Sequence, residues 1–356
     1  MLNASDFRNI VSGQRRGLRA TLWRALFRVV ELPHTWGVRI RNHRYDNRRA
    51  EVCRVSVPVV SVGNLTTGGT GKTPMVEWLS RWFRDRNMRV SLISRGYGAE
   101  RGALNDEAME LEQKLPDVPH LQNPDRVEAA RVAIEEFDTE LIIMDDGFQH
   151  RRIHRDLDIV LIDSLEPFGY GHLLPRGMLR EPLSGLRRAD AIALTRADMV
   201  SPERRHEIQR KARRHNPDAV WIEVSHAPNS LISSKGDSQP LESLRDTKVA
   251  AFCGIGNPAG FRHTLESCGC DIAWLKEFPD HCRYRREDLD RLADLLSESN
   301  DIERVICTHK DLVKVAVERI GGHDLWALQV GIEVLSGLDE LEQQLAAVLP
   351  GHQPRD

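Results

Sequence analysis

The stretch "GGTGKT", residues 68–73, places three glycines beside a lysine and a threonine. Closely spaced glycines let backbone N–H groups surround a phosphate without interference from side chains. In such a loop the lysine reaches the β- and γ-phosphates of a nucleotide, and the threonine hydroxyl binds Mg²⁺. The alternative is a glycine-rich turn with an incidental lysine. The candidate nucleotide-binding residues are Gly68, Gly69, Thr70, Gly71, Lys72 and Thr73.

The loop departs from the usual phosphate-binding pattern, because Thr66 stands where that pattern has its first glycine. That first glycine mainly permits a tight turn after the preceding strand. A loop that leaves its strand by another path tolerates a threonine there, and the residues that would contact phosphate are all present. The sequence therefore predicts a nucleotide site with an altered entry, in which Lys72 neutralises phosphate charge.

Two adjacent carboxylates, Asp145 and Asp146, follow the apolar run "LIIM". A phosphate-binding loop needs an acidic partner at the end of a nearby strand, where it holds Mg²⁺ or the water around it. Asp-Asp-Gly is also common in turns, so a simple strand-terminal turn is the alternative. Together with the glycine loop, the pair predicts a magnesium site shared by Thr73, Asp145 and Asp146.

The segment "DDGFQHRRIHRD", residues 145–156, carries more hydrogen-bonding side chains than a turn requires. Gln149, His150 and the arginines after them could recognise an anionic or sugar-like group. A solvated basic loop explains the same composition, and the sequence alone leaves both interpretations open.

Short apolar, β-branched runs alternate with helical patterns. The predicted strands are 57–63, 88–94, 140–146, 157–163 and 189–195, and the predicted helices among them are 75–86 and 126–137. Strands without polar alternation, separated by helices, are typical of a parallel sheet covered on both faces. The sequence therefore predicts an α/β fold.

A polar segment rich in Ser, Pro and Gly, residues 227–244, is typical of a linker or a hairpin between domains. Strand–helix alternation resumes after it, which predicts a second, smaller α/β unit. The predicted organisation is an N-terminal basic segment at 1–50, a nucleotide-binding core at 51–226 and a second α/β domain at 227–356.

Residues 1–50 contain eleven arginines, no lysine and three acidic residues. Leu22, Leu26 and Val30, with Trp23 and Phe27, recur on one face of a predicted helix, and the arginines lie on another. We expect Pro33 to end this helix. The pattern favours either a helix in a membrane interface or a helix packed on the core. No segment has the roughly 20 apolar residues of a membrane span.

The chain has 356 residues, 40% of them hydrophobic, and a net charge of −3. This composition is typical of a globular protein and excludes a disordered or fibrous one. Six cysteines without a CxxC pair, and no secretory signal before them, favour a reducing compartment such as the cytosol. We expect no nucleic-acid partner and no required protein partner.

Taken together, these motifs resemble the tetraacyldisaccharide 4'-kinases of lipid A synthesis. The motifs of that family appear in the same order as "NLTTGGTGKTP", "SRGYG", "DDGFQHRR", "LLPRGMLREP", "GIGNP", "PDH" and "THKD". The resemblance implies an ATP- and Mg²⁺-dependent kinase with a P-loop core and a smaller α/β domain that closes over the nucleotide. It implies phosphorylation of the 4'-hydroxyl of an acylated glucosamine disaccharide 1-phosphate, at the cytoplasmic face of the inner membrane.

The resemblance also assigns roles to positions. Asp106 takes the place of a catalytic aspartate, although the family's "GDEP" reads "NDEA" here. His281 in "PDH" corresponds to the histidine that orients this aspartate, so that it accepts the sugar hydroxyl's proton. Glu107 is a further candidate metal ligand. Arg180 and Glu181 match positions near the nucleotide, and Gln149, His150 and Arg126 are candidate substrate ligands, Arg126 for the 1-phosphate.

Two other classes of protein remain as alternatives. "LTRAD", residues 194–198, loosely echoes the guanine-reading [NT]KxD element of a GTPase switch, with Arg196 in place of lysine. A non-catalytic membrane scaffold is the second alternative, but it would not need the glycine loop, Asp145 and Asp106 together. Nucleotide preference and an acceptor-dependent rate discriminate between a kinase and a switch.

Overall fold

The structure, a computed structural model, describes residues 4–96, 106–280, 282–299 and 301–349. The strands in these ranges are β1 (Val59–Asn64), β2 (Val90–Ser94), β3 (His120–Gln122), β4 (Leu141–Asp145), β5 (Leu157–Asp163), β6 (Ala191–Thr195), β7 (Val220–Ser233), β8 (Ser238–Gln239), β9 (Lys248–Cys253), β10 (Asp271–Glu277), β11 (Arg304–Thr308), β12 (Arg319–Ile320) and β13 (His323–Ser336). The α-helices are α1 (Ala4–Val11), α2 (Leu18–Asp46), α3 (Lys72–Arg84), α4 (Asp106–Lys114), α5 (Arg126–Phe137), α6 (Pro202–Arg213), α7 (Pro258–Ser267), α8 (Arg286–Glu298), α9 (His309–Val315) and α10 (Leu338–Val348).

One sheet runs through both halves of the chain in the order β10-β9-β11-β13-β7-β6-β5-β1-β4-β2-β3. In the first half, β1 lies between β4 and β5 and pairs in parallel with both. In the second half, β9 pairs in parallel with β10 and β11, and β11 pairs in parallel with β13. The antiparallel pairs are β7 with β13, which joins the two halves, and the short strands β8 with β7 and β12 with β13. The predicted α/β fold with a mostly parallel sheet is confirmed.

The core strands are buried along their whole length because helices cover both faces of the sheet. All residues of β1 and β4 are buried. Val60 and Val62 pack in one cluster with Val76 and Leu79 of α3, and Val59 packs on the other side with residues of α5. This double burial explains the continuous apolar runs in the sequence, and it fixes β1 and α3 on either side of the glycine loop (residues 65–71).

The two halves share more than a single connection. The expected boundary between 226 and 227 falls inside β7, whose N-terminal part pairs with β6 and whose remainder pairs with β13. The segment after it turns back into β8, so the hairpin interpretation of 227–244 is right for its first part. The C-terminal helix α10 returns to the core cluster of the first half. The division into three domains stays a prediction.

Helix α2 continues through Pro33, so the prediction that this proline ends the helix is wrong. A proline inside a helix removes one hydrogen bond and crowds the preceding turn. Contacts beyond it offset that cost: Asn42 Nδ2 donates to Glu181 Oε2 at 3.1 Å, and Asp46 pairs with Arg151 at 2.9 Å. Within the described residues, no helix combines the length and the apolar character needed to cross a membrane.

Candidate active site

The glycine loop leaves β1 by a path that explains Thr66. Thr66 forms an isolated antiparallel bridge with Leu179, and the N–H of Thr67 donates to the carbonyl of Met178 at 2.8 Å. The chain is therefore extended where the usual loop makes its first tight turn, and an extended residue does not need to be glycine.

Glycine is required further along the loop. Gly68 and Gly71 have φ of 120° and 85°, in the region that L-residues rarely adopt. A Cβ at Gly68 or Gly69 would project into open space, so the missing side chains keep this face of the loop open for a phosphate. A Cβ at Gly71 would collide with the ring of His226. The loop is thus a cradle that fits the phosphates of a nucleotide.

The back of the loop is held by side chains that the sequence motifs do not identify as loop contacts. Asn64 Nδ2 donates to Thr70 Oγ1 at 2.8 Å, from the last residue of β1. Thr195 Oγ1 donates to the carbonyl of Thr70 at 3.0 Å, and Arg196 Nη2 donates to the carbonyl of Gly69 at 2.8 Å. The nearest sequence signal is the "LTRAD" segment, whose weak similarity to a guanine-reading element predicts a different role for these residues.

The acidic pair lies beside the loop, as predicted from the strand pattern. Asp145 ends β4 opposite Val62 of β1, and Asp146 follows it. Lys72 Nζ lies 3.6 Å from Asp146 Oδ1, and Arg180 Nη1 donates to both carboxylate oxygens of Asp146, at 2.7 and 2.8 Å. Burial alone would raise the pKa of Asp146, but Lys72 and Arg180 together hold it below its ordinary value. Asp146 is therefore an ionised carboxylate.

Glu181 lies behind the cavity rather than on its wall. Its side chain is fully buried, and its oxygens accept hydrogen bonds from Gln149 Nε2 at 3.1 Å and from Arg188 Nη2 at 3.0 and 2.9 Å. Asn42 Nδ2 is a third donor. Gln149 in turn donates to the carbonyl of Asn64 at 2.8 Å. Glu181 thus ties α2 to the end of β1, and its contact with a nucleotide stays a prediction.

Arg126 and His150 face the same cavity as the acidic pair. Arg126 is the first residue of α5, and burial lowers its pKa, while Asp146 acts in the opposite direction. Burial, and then the charge of Arg126, lowers the pKa of His150 to about 4, so this imidazole is neutral. Nε2 of His150 is buried and has no hydrogen-bond partner among the residues that the structure describes.

The arginines after His150 have structural partners. They form ion pairs between Arg151 and Asp46, Arg152 and Asp125, and Arg155 and Asp158. Gln149 and His150 therefore face the cavity, whereas the arginines hold the surrounding elements. Recognition of an anionic or sugar-like group by this segment stays a prediction.

The cavity has a volume of about 1430 Å³ and lies between the two halves of the chain. The first half contributes the glycine loop and the acidic pair, and the second contributes residues 255–257 and 308–310. Sites for a single small molecule usually measure about 300–1,000 Å³. This cavity therefore has room for a nucleotide and part of a second substrate.

Several predicted residues lie at the margin of what the structure describes. Asp106 and Glu107 begin helix α4, but their side chains are not among the described ones, and His281 lies outside the described residues. Their neighbours Glu110 and Asp280 line the cavity. The roles of the three residues stay predictions.

A buried ion cluster, which the sequence did not indicate, fixes α4. Lys114 Nζ lies 2.9 Å from Glu110 and 3.0 Å from Glu77 of α3. Burial opposes the charge on Glu110, but Lys114 and then His309 of α9 lower its pKa to about 2. The helix that begins at Asp106 is thereby tied to the helix behind the glycine loop and to the second half.

The oxygen donors near the loop suit Mg²⁺. Thr73 supplies a hydroxyl, and Asp145 and Asp146 supply carboxylates, which are the hard ligands that this ion prefers. No group of three or more His, Cys, Asp or Glu side chains within the described ranges could hold a metal alone. Mg²⁺ commonly takes one or two protein carboxylates together with substrate phosphates and water, so the residues present fit an ion that arrives with a nucleotide.

A parallel sheet with a glycine loop between β1 and α3, and carboxylates after the neighbouring β4, defines a P-loop nucleotide-binding protein. The family model described as tetraacyldisaccharide-1-P 4'-kinase matches residues 23–350. The chain therefore belongs to the tetraacyldisaccharide 4'-kinase family.

Individual relatives agree with this assignment. The chain is 39% identical to the tetraacyldisaccharide 4'-kinase of Anaeromyxobacter dehalogenans (strain 2CP-C), over 93% of this chain and 95% of the relative. It is 35% identical to that of Halothermothrix orenii, over 94% and 95%. Among solved structures, it is similar to LpxK from Aquifex aeolicus in complex with ATP, with a TM-score of 0.71 and 28% identity over 92% of this chain and 99% of that one.

Proposed function

We propose that this protein transfers the γ-phosphate of ATP to the 4'-hydroxyl of a tetraacylated glucosamine disaccharide 1-phosphate, a step of lipid A synthesis. Membership of the kinase family supports the reaction, and the relative crystallised with ATP supports the nucleotide. The observation that carries the proposal is the shared cavity, which the glycine loop, the acidic pair and the residues Arg126, Gln149 and His150 all line. A donor and an acceptor can meet there.

At the donor end, the N–H groups of the glycine loop bind the phosphates. Lys72 breaks its ion pair with Asp146 and neutralises the negative charge of the phosphoryl group during transfer. Positioning and charge neutralisation supply most of the catalysis in phosphoryl transfer. Arg180, which also pairs with Asp146, keeps that carboxylate in place when Lys72 turns to the nucleotide.

Thr73, Asp145 and Asp146 hold Mg²⁺, with Glu107 as a further ligand. When bound, the ion would supply positive charge that offsets the negative charge developing during transfer. The chain's own part is to keep Asp146 ionised, and the cations around that carboxylate do so.

At the acceptor end, Asp106 accepts the proton of the 4'-hydroxyl, and His281 orients Asp106. The buried cluster of Glu110, Lys114 and Glu77 supports this role, because it fixes the helix that Asp106 begins. Arg126 binds the 1-phosphate, while Gln149 and neutral His150 bind sugar hydroxyls.

The protein acts as a peripheral enzyme at the cytoplasmic face of the inner membrane, where an acylated substrate resides. Helix α2 supports this location. Large apolar side chains along it are 51–83% exposed, namely those of Leu18, Leu22, Leu26, Val29, Leu32, Trp36 and Ile40. An apolar surface of this kind with arginines nearby is typical of interfacial helices. The second half closes over the nucleotide once the donor is bound.

The alternative function is a P-loop switch that hydrolyses nucleotide without a lipid acceptor. Comparing the nucleotide turnover of the wild-type protein in mixed micelles with and without tetraacyldisaccharide 1-phosphate tests this, first with ATP and then with GTP. The kinase predicts consumption of ATP that depends on the acceptor. Consumption of GTP at a rate that the acceptor does not change would support the switch.

A further inference from the structure

Two adjacent residues at the end of β6 hold two consecutive peptide groups of the glycine loop. Thr195 Oγ1 donates to the carbonyl of Thr70 at 3.0 Å. Arg196 Nη2 donates to the carbonyl of Gly69 at 2.8 Å. Thr195 and Thr70 are buried, and Arg196 is 8% exposed, so water competes little for these bonds.

These bonds determine the direction of two N–H groups. In a planar trans peptide, the C=O and the N–H of the next residue point in opposite directions. The carbonyl of Gly69 shares its plane with the N–H of Thr70, and the carbonyl of Thr70 shares its plane with the N–H of Gly71. Because both carbonyls point toward β6, both N–H groups point away from it. Neither N–H donates to another atom within the described part of the chain.

The side chain of Arg196 is fixed independently of any ligand. Its Nη1 donates to Asp163 Oδ2 at 2.6 Å, and Asp163 ends the neighbouring strand β5. The carbonyl of Arg196 accepts a hydrogen bond from Ser164 Oγ at 2.6 Å. The guanidinium thus bridges a carboxylate and a loop carbonyl, a geometry that its planar set of donors allows.

We propose that Thr195 and Arg196, with Asp163, are positioning residues that aim the N–H groups of Thr70 and Gly71 at the phosphates of the nucleotide. They act through the loop, because their donors bond to loop carbonyls and to Asp163. The proposal rests on the ATP site of the proposed function, and it gives the "LTRAD" segment a role that does not involve reading a base.

The test substitutions remove or replace the hydrogen-bond donors of Thr195 and Arg196. Thr195→Val keeps the shape of the side chain and removes the hydroxyl, whereas Thr195→Ser restores it. Arg196→Lys keeps the charge, but a single ammonium lacks the planar fork that reaches both Asp163 and the Gly69 carbonyl. Thr139→Val is a matched control, because Thr139 is also buried and its Oγ1 donates to the carbonyl of Ala133 at 2.7 Å, away from the loop.

The experiment uses the full chain in detergent micelles. The Kd of ADP is measured by calorimetry, and kcat and the separate KM values for ATP and for the lipid acceptor are measured by label transfer. We expect Thr195→Val and Arg196→Lys to weaken ADP binding and to raise the KM for ATP by about three- to tenfold, the effect of one hydrogen bond. The KM for the lipid should not change, and Thr195→Ser and Thr139→Val should bind ADP like the wild-type protein.

Two results would overturn the proposal. One is wild-type ADP affinity in both Thr195→Val and Arg196→Lys. The other is a fall in kcat with unchanged KM and Kd in Thr195→Val, which is the result of a structural role alone. Failure of the proposed function is distinguishable from these two results, because the wild-type protein itself would then bind no ADP or transfer no label.

Discussion

Lys72 and Asp146 form an ion pair at the mouth of the glycine loop, with Nζ 3.6 Å from Oδ1. Lys72 is the first residue of α3, and Asp146 follows the last residue of β4. The pairing of β1 with β4 in the parallel sheet brings these two elements together. The geometry of the backbone is thus enough to place the lysine proposed to bind phosphate beside the carboxylate proposed to bind Mg²⁺.

Replacing Asp146 tests its role toward the metal. Asp146→Asn removes the negative charge but retains a side chain that tolerates the positive φ of 51° at this position. We expect the Mg²⁺ concentration for half-maximal activity to rise about tenfold. Asp138→Asn is the matched control, since Asp138 has a φ of 48° at the end of α5, away from the cavity. Equal Mg²⁺ titrations for the two variants would exclude Asp146 as a ligand.

Asp106→Ala tests the general base. Turnover should fall about tenfold or more because the acceptor hydroxyl loses its proton acceptor, while the Kd of ATP stays close to the wild-type value. Glu112→Ala removes another carboxylate from the same helix at an exposed position and should retain full activity. Undiminished turnover of Asp106→Ala, measured by label transfer, would remove this residue from the mechanism.

A charged substitution on the exposed apolar face of α2 should weaken membrane binding without destabilising the fold. Leu26→Glu places a charge where 51% of the side chain is exposed, so the melting temperature should not change. Co-sedimentation with vesicles of anionic phospholipid should decrease, because the charge opposes insertion of the apolar face. Phe137→Glu, at a position that is 47% exposed on α5, is the control. If both variants sediment like the wild-type protein, Leu26 does not contact the membrane.

We expect the folded protein to lose stability in mild acid because of His120. Burial lowers its pKa to about 4, and its Nε2 lies 2.9 Å from Ser94 Oγ. Between pH 6.5 and about 4, the unfolded chain binds a proton at this position that the folded protein does not. The free energy of unfolding therefore decreases by about 1.4 kcal/mol for each pH unit below 6.5.

His120→Gln removes this titration. Urea unfolding at pH 6.5 and at pH 5.0 should show a difference in free energy of unfolding that is about 2 kcal/mol smaller for the variant than for the wild-type protein. An equal difference in the two proteins would mean that folding does not change the pKa of His120.

The sequence predicted best where local patterns decide the structure. The helix at 126–137 and the strand at 157–163 have the predicted bounds. Helix α3 begins three residues before its predicted start, because Pro74 is compatible with a first turn. The helix end predicted at Pro33 is wrong, since contacts of Asn42 and Asp46 with distant residues stabilise the continued helix and no local pattern contains them.

The same limit applies to the candidate active site, where contacts between distant segments could not be predicted from local patterns. The glycine loop and the acidic pair correspond to short sequence motifs with a clear chemical role, so they could be predicted from the sequence. Thr195, Arg196 and the cluster of Glu77 with Lys114 became visible only when the sheet order brought distant segments together. The two residues of each contact lie 37 to 127 positions apart in the chain, from Glu77 and Lys114 at the lower end to Arg196 and Gly69 at the upper end. The sequence has no periodic pattern over such distances.

The central claim is a transfer of phosphate to a lipid that requires Lys72. The most direct measurement incubates γ-labelled ATP with tetraacyldisaccharide 1-phosphate in mixed micelles, and compares the wild-type protein with Lys72→Ala and with Lys276→Ala, a change at an exposed position. We predict labelled lipid with the wild-type protein and with Lys276→Ala, and none above background with Lys72→Ala. Free labelled phosphate without labelled lipid, or equal lipid labelling by Lys72→Ala, would contradict the account.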